Sequence, residues 1–373
     1  MVLSPEQGTS HRIRELDGWR AISVLLVVFS HFVSTRYLSF IMEHGFRHLG
    51  RTILISGSLG PKVFFVISGF VICRLLILEE QQYGYVSLKG FYYRRVFRIL
   101  PPLLTYLAAV ALLIATGMIV QRWHSLVYSA LFLYDTGLAP TKMSWFVGHT
   151  WSLSVEEQFY LVLPTAWILT PARLRSRVAA GVYVLCIVLG LVSLRTTLGH
   201  LINAGMWFNF SAIVVGVWMA IHEQRVRQFA ARVPGILIAA FCVFRLYHSY
   251  LNMPQEAAQY FYDIVTPLGV GVMLMYSLER GKWLRAVLCS KPMQAIGVTS
   301  YGIYLWQEIF TARVSDYTGK GMVLAYMLPL LLVIIPASYF FIEKPAIRMG
   351  RALSQRARKR DPAIVGHPIP ADA

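Results

Sequence analysis

Charge is scarce in this sequence, and acid scarcer. Of 373 residues 14% are charged, where soluble domains carry about a quarter, and 18 acidic residues stand against 35 lysines and arginines. With 56% hydrophobic residues gathered in long runs, that shortage excludes an ordinary water-soluble domain and implies a polytopic membrane protein. The net charge of +17 lies in clusters between apolar runs rather than on one soluble face, which membrane topology explains and nucleic-acid binding does not. Cysteine is sparse as well. Cys73, Cys186, Cys242 and Cys289 are scattered without CxxC or Cys/His spacing, so neither a disulfide framework nor a metal site is indicated. The opening MVLSPEQGTS lacks an apolar core followed by a small-residue cleavage site, so no signal peptide is expected and the first span serves as the targeting signal. Long polar linkers and repeats of fixed period are absent too. A single membrane domain is expected over residues 1–348, followed by a basic and then Pro-rich disordered cytoplasmic tail over 349–373.

Windows of about twenty apolar residues place spans near residues 21–38, 60–78, 99–119, 152–170, 178–194, 207–221, 234–250, 260–278, 293–312 and 322–341. An eleventh apolar stretch, 123–138, is interrupted by Asp135, Gly137 and Pro140 and reads as a lid or re-entrant segment. Basic residues crowd the N-terminus (Arg12, Arg14, Arg20) and every second connection, including Arg94, Arg95 and Arg98, then Arg173, Arg175 and Arg177. The intervening stretches 196–206 and 251–259 carry none. The expected fold is an all-α membrane protein of about ten transmembrane helices in one bundle, both termini cytoplasmic, multi-pass in the inner or plasma membrane.

The run RELDGWRAISVLLVVFSHF puts Arg20 at the start of the first span and His31 inside it. Eleven helical residues advance ~16 Å and turn through three revolutions plus roughly 20°, so both side chains share a face and the imidazole sits near the midplane. An ionisable group there marks a functional site or a structural histidine bonded to a neighbouring helix. In FYYRRVFRILPP, before Pro101 and Pro102 open the third span, Arg95 and Arg98 share a helical face with Arg94 beside them. Their guanidinium forks suit phosphate, and equally would anchor lipid headgroups. Ser68 and Gly69 read as small residues for close helix packing, with Phe64, Phe65 and Phe70 lining the adjoining space. HTWSLSVEEQFYLVLP carries Glu156 and Glu157 into a hydrophobic helix. Ser154 and Glu157 fit a capping box. That leaves Glu156, at a depth comparable with His31, for acid/base work or a proton pathway. Arg245 with His248, and Gln307 with Glu308, could line the same cavity or form helix-to-helix hydrogen bonds.

Taken together, LDGWRAISVLLVVFSHF, KVFFVISGFVICRLL, FYYRRVFRILPP, HTWSLSVEEQFYLVLP, SYGIYLWQ and FIEKPAIR resemble the acyltransferase 3 family of integral-membrane acyltransferases, in its order and over nearly the whole chain. The resemblance implies transfer of an acyl group, most often acetyl, from cytoplasmic acyl-CoA to a hydroxyl of a cell-envelope glycan, an exported oligosaccharide or a macrolide-type small molecule. It implies no permanently bound cofactor. By the same resemblance Arg20, Arg95 and Arg98, with Arg94, would hold the phosphates of acyl-CoA, His31 would be the base or nucleophile, and Glu156 and Glu157 would support it. Many relatives carry histidine where this chain has Gln307, a departure that touches span nine and leaves His31 in place. The rival reading from another class is a proton-coupled transporter or flippase, because intramembrane His, Glu and Arg also line such pathways.

Overall fold

A computed structural model describes residues 13–136, 145–195, 204–247 and 261–359. Its principal helices are α1 (Arg14–Arg36), α2 (Arg47–Tyr83), α3 (Leu88–Ala115), α4 (Trp123–Ala130), α5 (Thr150–Leu169), α6 (Ala172–Arg195), α7 (Ala204–Ile221), α8 (Glu223–Arg232), α9 (Gly235–Tyr247), α10 (Thr266–Glu279), α11 (Lys282–Leu288), α12 (Lys291–Val298), α13 (Ser300–Trp306), α14 (Glu308–Thr311), α15 (Leu331–Ser338) and α16 (Lys344–Lys359). Extended structure among the described residues amounts to an isolated bridge between Ile119 and Tyr317. The fold is all-α and membrane-like. Among the described residues five helical segments are long and apolar enough to cross a membrane, and a sixth if α7 and α8, bent by 96°, are one span.

Several expected spans take a different local form. The stretch read as 293–312 is cut into α12, α13 and α14, with breaks at Thr299 and Gln307. α5 has the length of a span but spends it on Glu156, Glu157 and Gln158. α3 does not open at Pro101 and Pro102; it begins at Leu88, where the Ser87 hydroxyl accepts from the Gly90 N–H at 3.2 Å, and both prolines lie inside it. The Tyr301 hydroxyl donates to the Ile99 carbonyl at 2.9 Å, just ahead of those prolines. The expected boundary at 348 falls inside α16, whose small-residue face (Ala346, Gly350, Ser354) is packed on α3, so residues 349–359 are helix rather than disordered tail. Residues 360–373, the start of the chain to residue 12, and the last two residues of the expected lid, 137 and 138, lie outside the described residues.

Two features position the site. α2 and α7 cross in backbone contact, because a Cβ at Gly69 would overlap the Ile213 carbonyl and one at Gly216 would overlap Val66 and Phe70 backbone. Small residues allow that approach where no water drives helices together. The basic clusters are also gathered at one end: Arg94 and Arg358 on Glu79, Arg175 on Glu80, Arg74 on Glu223, Arg227 on Glu279, and Arg285 on Glu15. Large apolar side chains such as Leu332 (79% exposed) and Phe341 (82%) face outward, which suits hydrocarbon and not water.

Candidate active site

Two cavities lie within the bundle and share Pro61 and Tyr304 in their walls. The inner one, about 180 Å³, is lined by Arg20 from α1, Ser68 and Phe64 from α2, Arg95 and Arg98 from α3, Glu156 from α5 and Tyr301 from α13. α3 puts Arg95 and Arg98 on one face as their spacing requires, and Arg98 is exposed to the cavity. The Arg95 guanidinium stacks 3.9 Å over the Tyr160 ring, a cation–π contact that holds the fork flat, and its Nε has no hydrogen-bond partner among the described residues. Ser68 joins Tyr160 hydroxyl to hydroxyl, so the small residue serves this wall while Gly69 serves the helix crossing.

Arg94 points elsewhere. It is bonded to Glu79 (2.8 Å) and to the Ser354 hydroxyl (2.6 Å), in the network that docks α16. Adjacent arginines on a helix are 100° apart, so the neighbour of a cavity-lining residue turns away from it. Glu156 and Glu157 both stand near Arg95 and Arg98. The expected capping box is not formed: Ser154 is in the second turn of α5, where its hydroxyl donates to the Thr150 carbonyl (3.1 Å) and accepts from the Tyr134 N–H (3.2 Å). Glu157 Oε1 is buried without a hydrogen bond among the described residues.

The outer cavity, about 540 Å³, is lined by His31 and Ser30 from α1, Trp145, His149, Trp151, Tyr304, Glu308, Arg313 and Asp316. His31 Nδ1 lies 3.0 Å from Glu308 Oε1 and 3.2 Å from Gln307 Oε1, and its ring meets the Trp145 indole edge-on at 5.2 Å. The Thr311 hydroxyl donates to Gln307 Oε1 (3.1 Å), which orients the amide so that Nε2 donates to Glu308 (2.8 Å). Glu308 is only 2% exposed, and a buried carboxylate needs such partners. With Nδ1–H given to the carboxylate, Nε2 is the basic nitrogen of His31. The partner of His31 is therefore Glu308, not Glu156, which lines the inner cavity instead. The break at Gln307 between α13 and α14 is what turns both polar side chains toward α1. Arg245 lines neither cavity; it stacks on Tyr262 (4.6 Å) in a separate cluster where Lys62 bonds Asp263 and Asn209, each at 2.8 Å, while His248 lies outside the described residues.

A bundle with a cationic chamber backed by an imidazole–carboxylate pair belongs to the class that can bind an anion and move a proton beside it. Residues 13–343 match the acyltransferase 3 family, described as an acyltransferase domain, and the chain belongs to that family. It is similar to the Staphylococcus aureus (strain MRSA252) protein named "Putative O-acetyltransferase SAR0937", 25% identical over 92% of this chain and 58% of that protein. It is also similar to O-acetyltransferase OatA of Staphylococcus aureus (strain NCTC 8325 / PS 47), 24% identical over 90% of this chain and 57% of that protein. The chain thus spans somewhat over half the length of these curated relatives. No solved structure matches.

Proposed function

We propose that the protein is a membrane O-acyltransferase that carries an acyl group, acetyl by preference, from cytoplasmic acyl-CoA to a hydroxyl of a glycan. The observation that carries this reading is the pair of back-to-back cavities, one cationic and one built on His31 and Glu308, with a common wall at Pro61 and Tyr304. Arg95, Arg98 and Arg20 would hold phosphates by charge-assisted hydrogen bonds. At about 180 Å³ the inner cavity is smaller than the ~300–1,000 Å³ of pockets that enclose a drug-sized ligand, so it suits the narrow pantetheine arm, with the nucleotide outside. The thioester then meets the shared wall and the acceptor fills the outer cavity, where Trp145 and Trp151 offer flat faces to a sugar.

His31 Nε2 takes the proton as the acceptor oxygen attacks the thioester carbonyl, and Glu308 stabilises the imidazolium that forms. The carbon–sulfur bond breaks, the proton passes from His31 to the thiolate, and CoA leaves as the free thiol. In the two-step form His31 is itself the nucleophile and an acyl-histidine forms first. Trapping labelled acyl group on the protein without acceptor separates the two. On this reading the basic end of the bundle and both termini are cytoplasmic, with about ten crossings, the cut segments counted with the whole ones. The test is release of CoA thiol from acetyl-CoA by the purified protein, with and without candidate glycans, against His31→Ala and Arg98→Ala. Turnover that needs His31 and rises with one glycan is expected. A folded protein that neither binds CoA nor releases thiol overturns the reading in favour of a transporter.

A further inference from the structure

We propose that His149 is a positioning residue of the catalytic pair, sharing the Glu308 carboxylate with His31, the Nδ1 atoms of both facing its Oε1. The inference rests on the acyltransfer reading for its purpose, though not for its geometry. His149 immediately precedes α5, and its ring is set edge-on against Tyr106 (5.4 Å) and Tyr304 (5.3 Å) with 1% of the side chain exposed. Neither ring nitrogen has a hydrogen-bond partner among the described residues, yet Nδ1 lies 4.0 Å from Glu308 Oε1. A buried polar side chain without a partner is costly and rare, and one at the edge of a reactive pair points to a bond made in the working state.

The neighbours narrow the choice of partner. Around His149 stand Tyr106 from α3, Tyr304 from α13, Glu308 from α14 and His31 from α1, and Arg313 and Asp316 line the same cavity. The Tyr106 hydroxyl is given to the Phe146 carbonyl, and the Tyr304 hydroxyl to the His149 carbonyl (2.9 Å) beside Ser152 (2.7 Å). Glu308 is the acceptor left within reach. The gap is too short for a bridging water and closes to a direct N–H···O bond with a shift of about 1 Å.

One carboxylate between two imidazoles in dry surroundings supports a single imidazolium at a time. His149 keeps its proton throughout; by donating N–H to Glu308 it draws off part of the negative potential that holds a proton on His31. His31 can then surrender to the thiolate the proton it took from the acceptor. Without His149, Glu308 acts on His31 alone, His31 becomes more basic, and its neutral form is confined to higher pH.

The experiment follows modification of His31 by diethyl pyrocarbonate, which reacts with neutral imidazole, in the purified full-length protein from pH 5.5 to 8, read by peptide mass spectrometry. In His149→Phe the midpoint for His31 is expected to rise by about half to one pH unit, slowing modification at pH 6 by roughly three- to tenfold. His149→Asn, whose amide nitrogen falls where Nδ1 stands, restores most of the wild-type midpoint. In a Glu308→Gln background His149→Phe moves nothing. A midpoint unchanged in His149→Phe of wild-type melting temperature overturns the proposal, since a merely structural role would alter stability and not titration. Should the phenylalanine variant fail to fold, His149→Leu, which has no side-chain N–H, takes its place with the same expected shift, and no shift there overturns the proposal equally. The labelling uses neither acyl-CoA nor acceptor, so the pattern obtained in a protein that releases no CoA thiol retains the shared carboxylate and removes the acyltransfer reading alone.

Discussion

The inner cavity is small, cationic and walled by phenylalanines, whereas the outer one, about 540 against 180 Å³, carries an imidazole, a carboxylate and two indoles. The first can hold an anion by its three arginines, with the single carboxylate of Glu156 beside them, and it has no imidazole. The second has a base but far less positive charge. On the proposed reading neither is a complete site, and the wall they share is where the reaction would take place. A second contrast runs within one helix: Arg95 and Arg98 line the inner cavity, while Arg94, next to one of them, is tied to Glu79 and Ser354.

Removal of His31 should be the most damaging change, because it takes the base from the outer cavity and leaves the inner one intact. His31→Ala is expected to lower acyl-transfer kcat by about 10³-fold with acetyl-CoA binding unchanged, checked by thiol release alongside calorimetric titration. Equal loss of CoA binding would break the division of labour. Glu308→Gln keeps the shape and removes the charge; a loss of about 10²-fold in kcat with an unaltered KM for acetyl-CoA is expected, and Glu156→Gln should not reproduce that signature. Arg98→Ala should raise the KM for acetyl-CoA by about ten- to a hundredfold and spare kcat, and Arg98→Lys should recover only part, since a point charge does not replace a planar fork. Arg94→Ala carries the smallest effect and the sharpest contrast. It should leave that KM alone and cost about 1 kcal/mol of stability through the loosened α16, seen as a lower melting temperature.

Periodicity carried much of this. Arg95 and Arg98 share a helix face and line one cavity, as counting along a helix suggests, whereas Arg20 and His31, counted onto one face of α1, line the inner and the outer cavity respectively. Counting does not say which face a third residue loses: it groups Arg94 with its neighbours, whereas Glu79 and, from α16, Ser354 claim it. It also misjudged the carboxylates. Glu156 and Glu157 stand out in an apolar run, but depth alone does not pair helices, and the residue that meets His31 comes from a segment cut by two breaks that hydropathy averages away. The signal for Glu308 was a polar pair, Gln307 and Glu308, inside an expected span; that for His149 was its place at the head of HTWSLSVEEQ, hidden because a histidine there also reads as a helix end. Ser154 and Glu157 had the spacing of a cap, yet α5 begins four residues earlier, since His149 and Thr150 are held by Tyr304 and Ser129.

The wall at Pro61 and Tyr304 also bears on insulation. On the proposed reading, a site reached by a cytoplasmic donor and an external acceptor would be a breach in the membrane, and an open passage lined by arginines, glutamates and a histidine would conduct. Each elementary charge that crosses at 100 mV gives up about 2.3 kcal/mol, so even a slow leak would run down the gradient the cell maintains. On that reading Tyr304, anchored through its hydroxyl to the His149 carbonyl and Ser152, would keep the two chambers from becoming one, letting an acyl group pass hand to hand while ions stay on their own side.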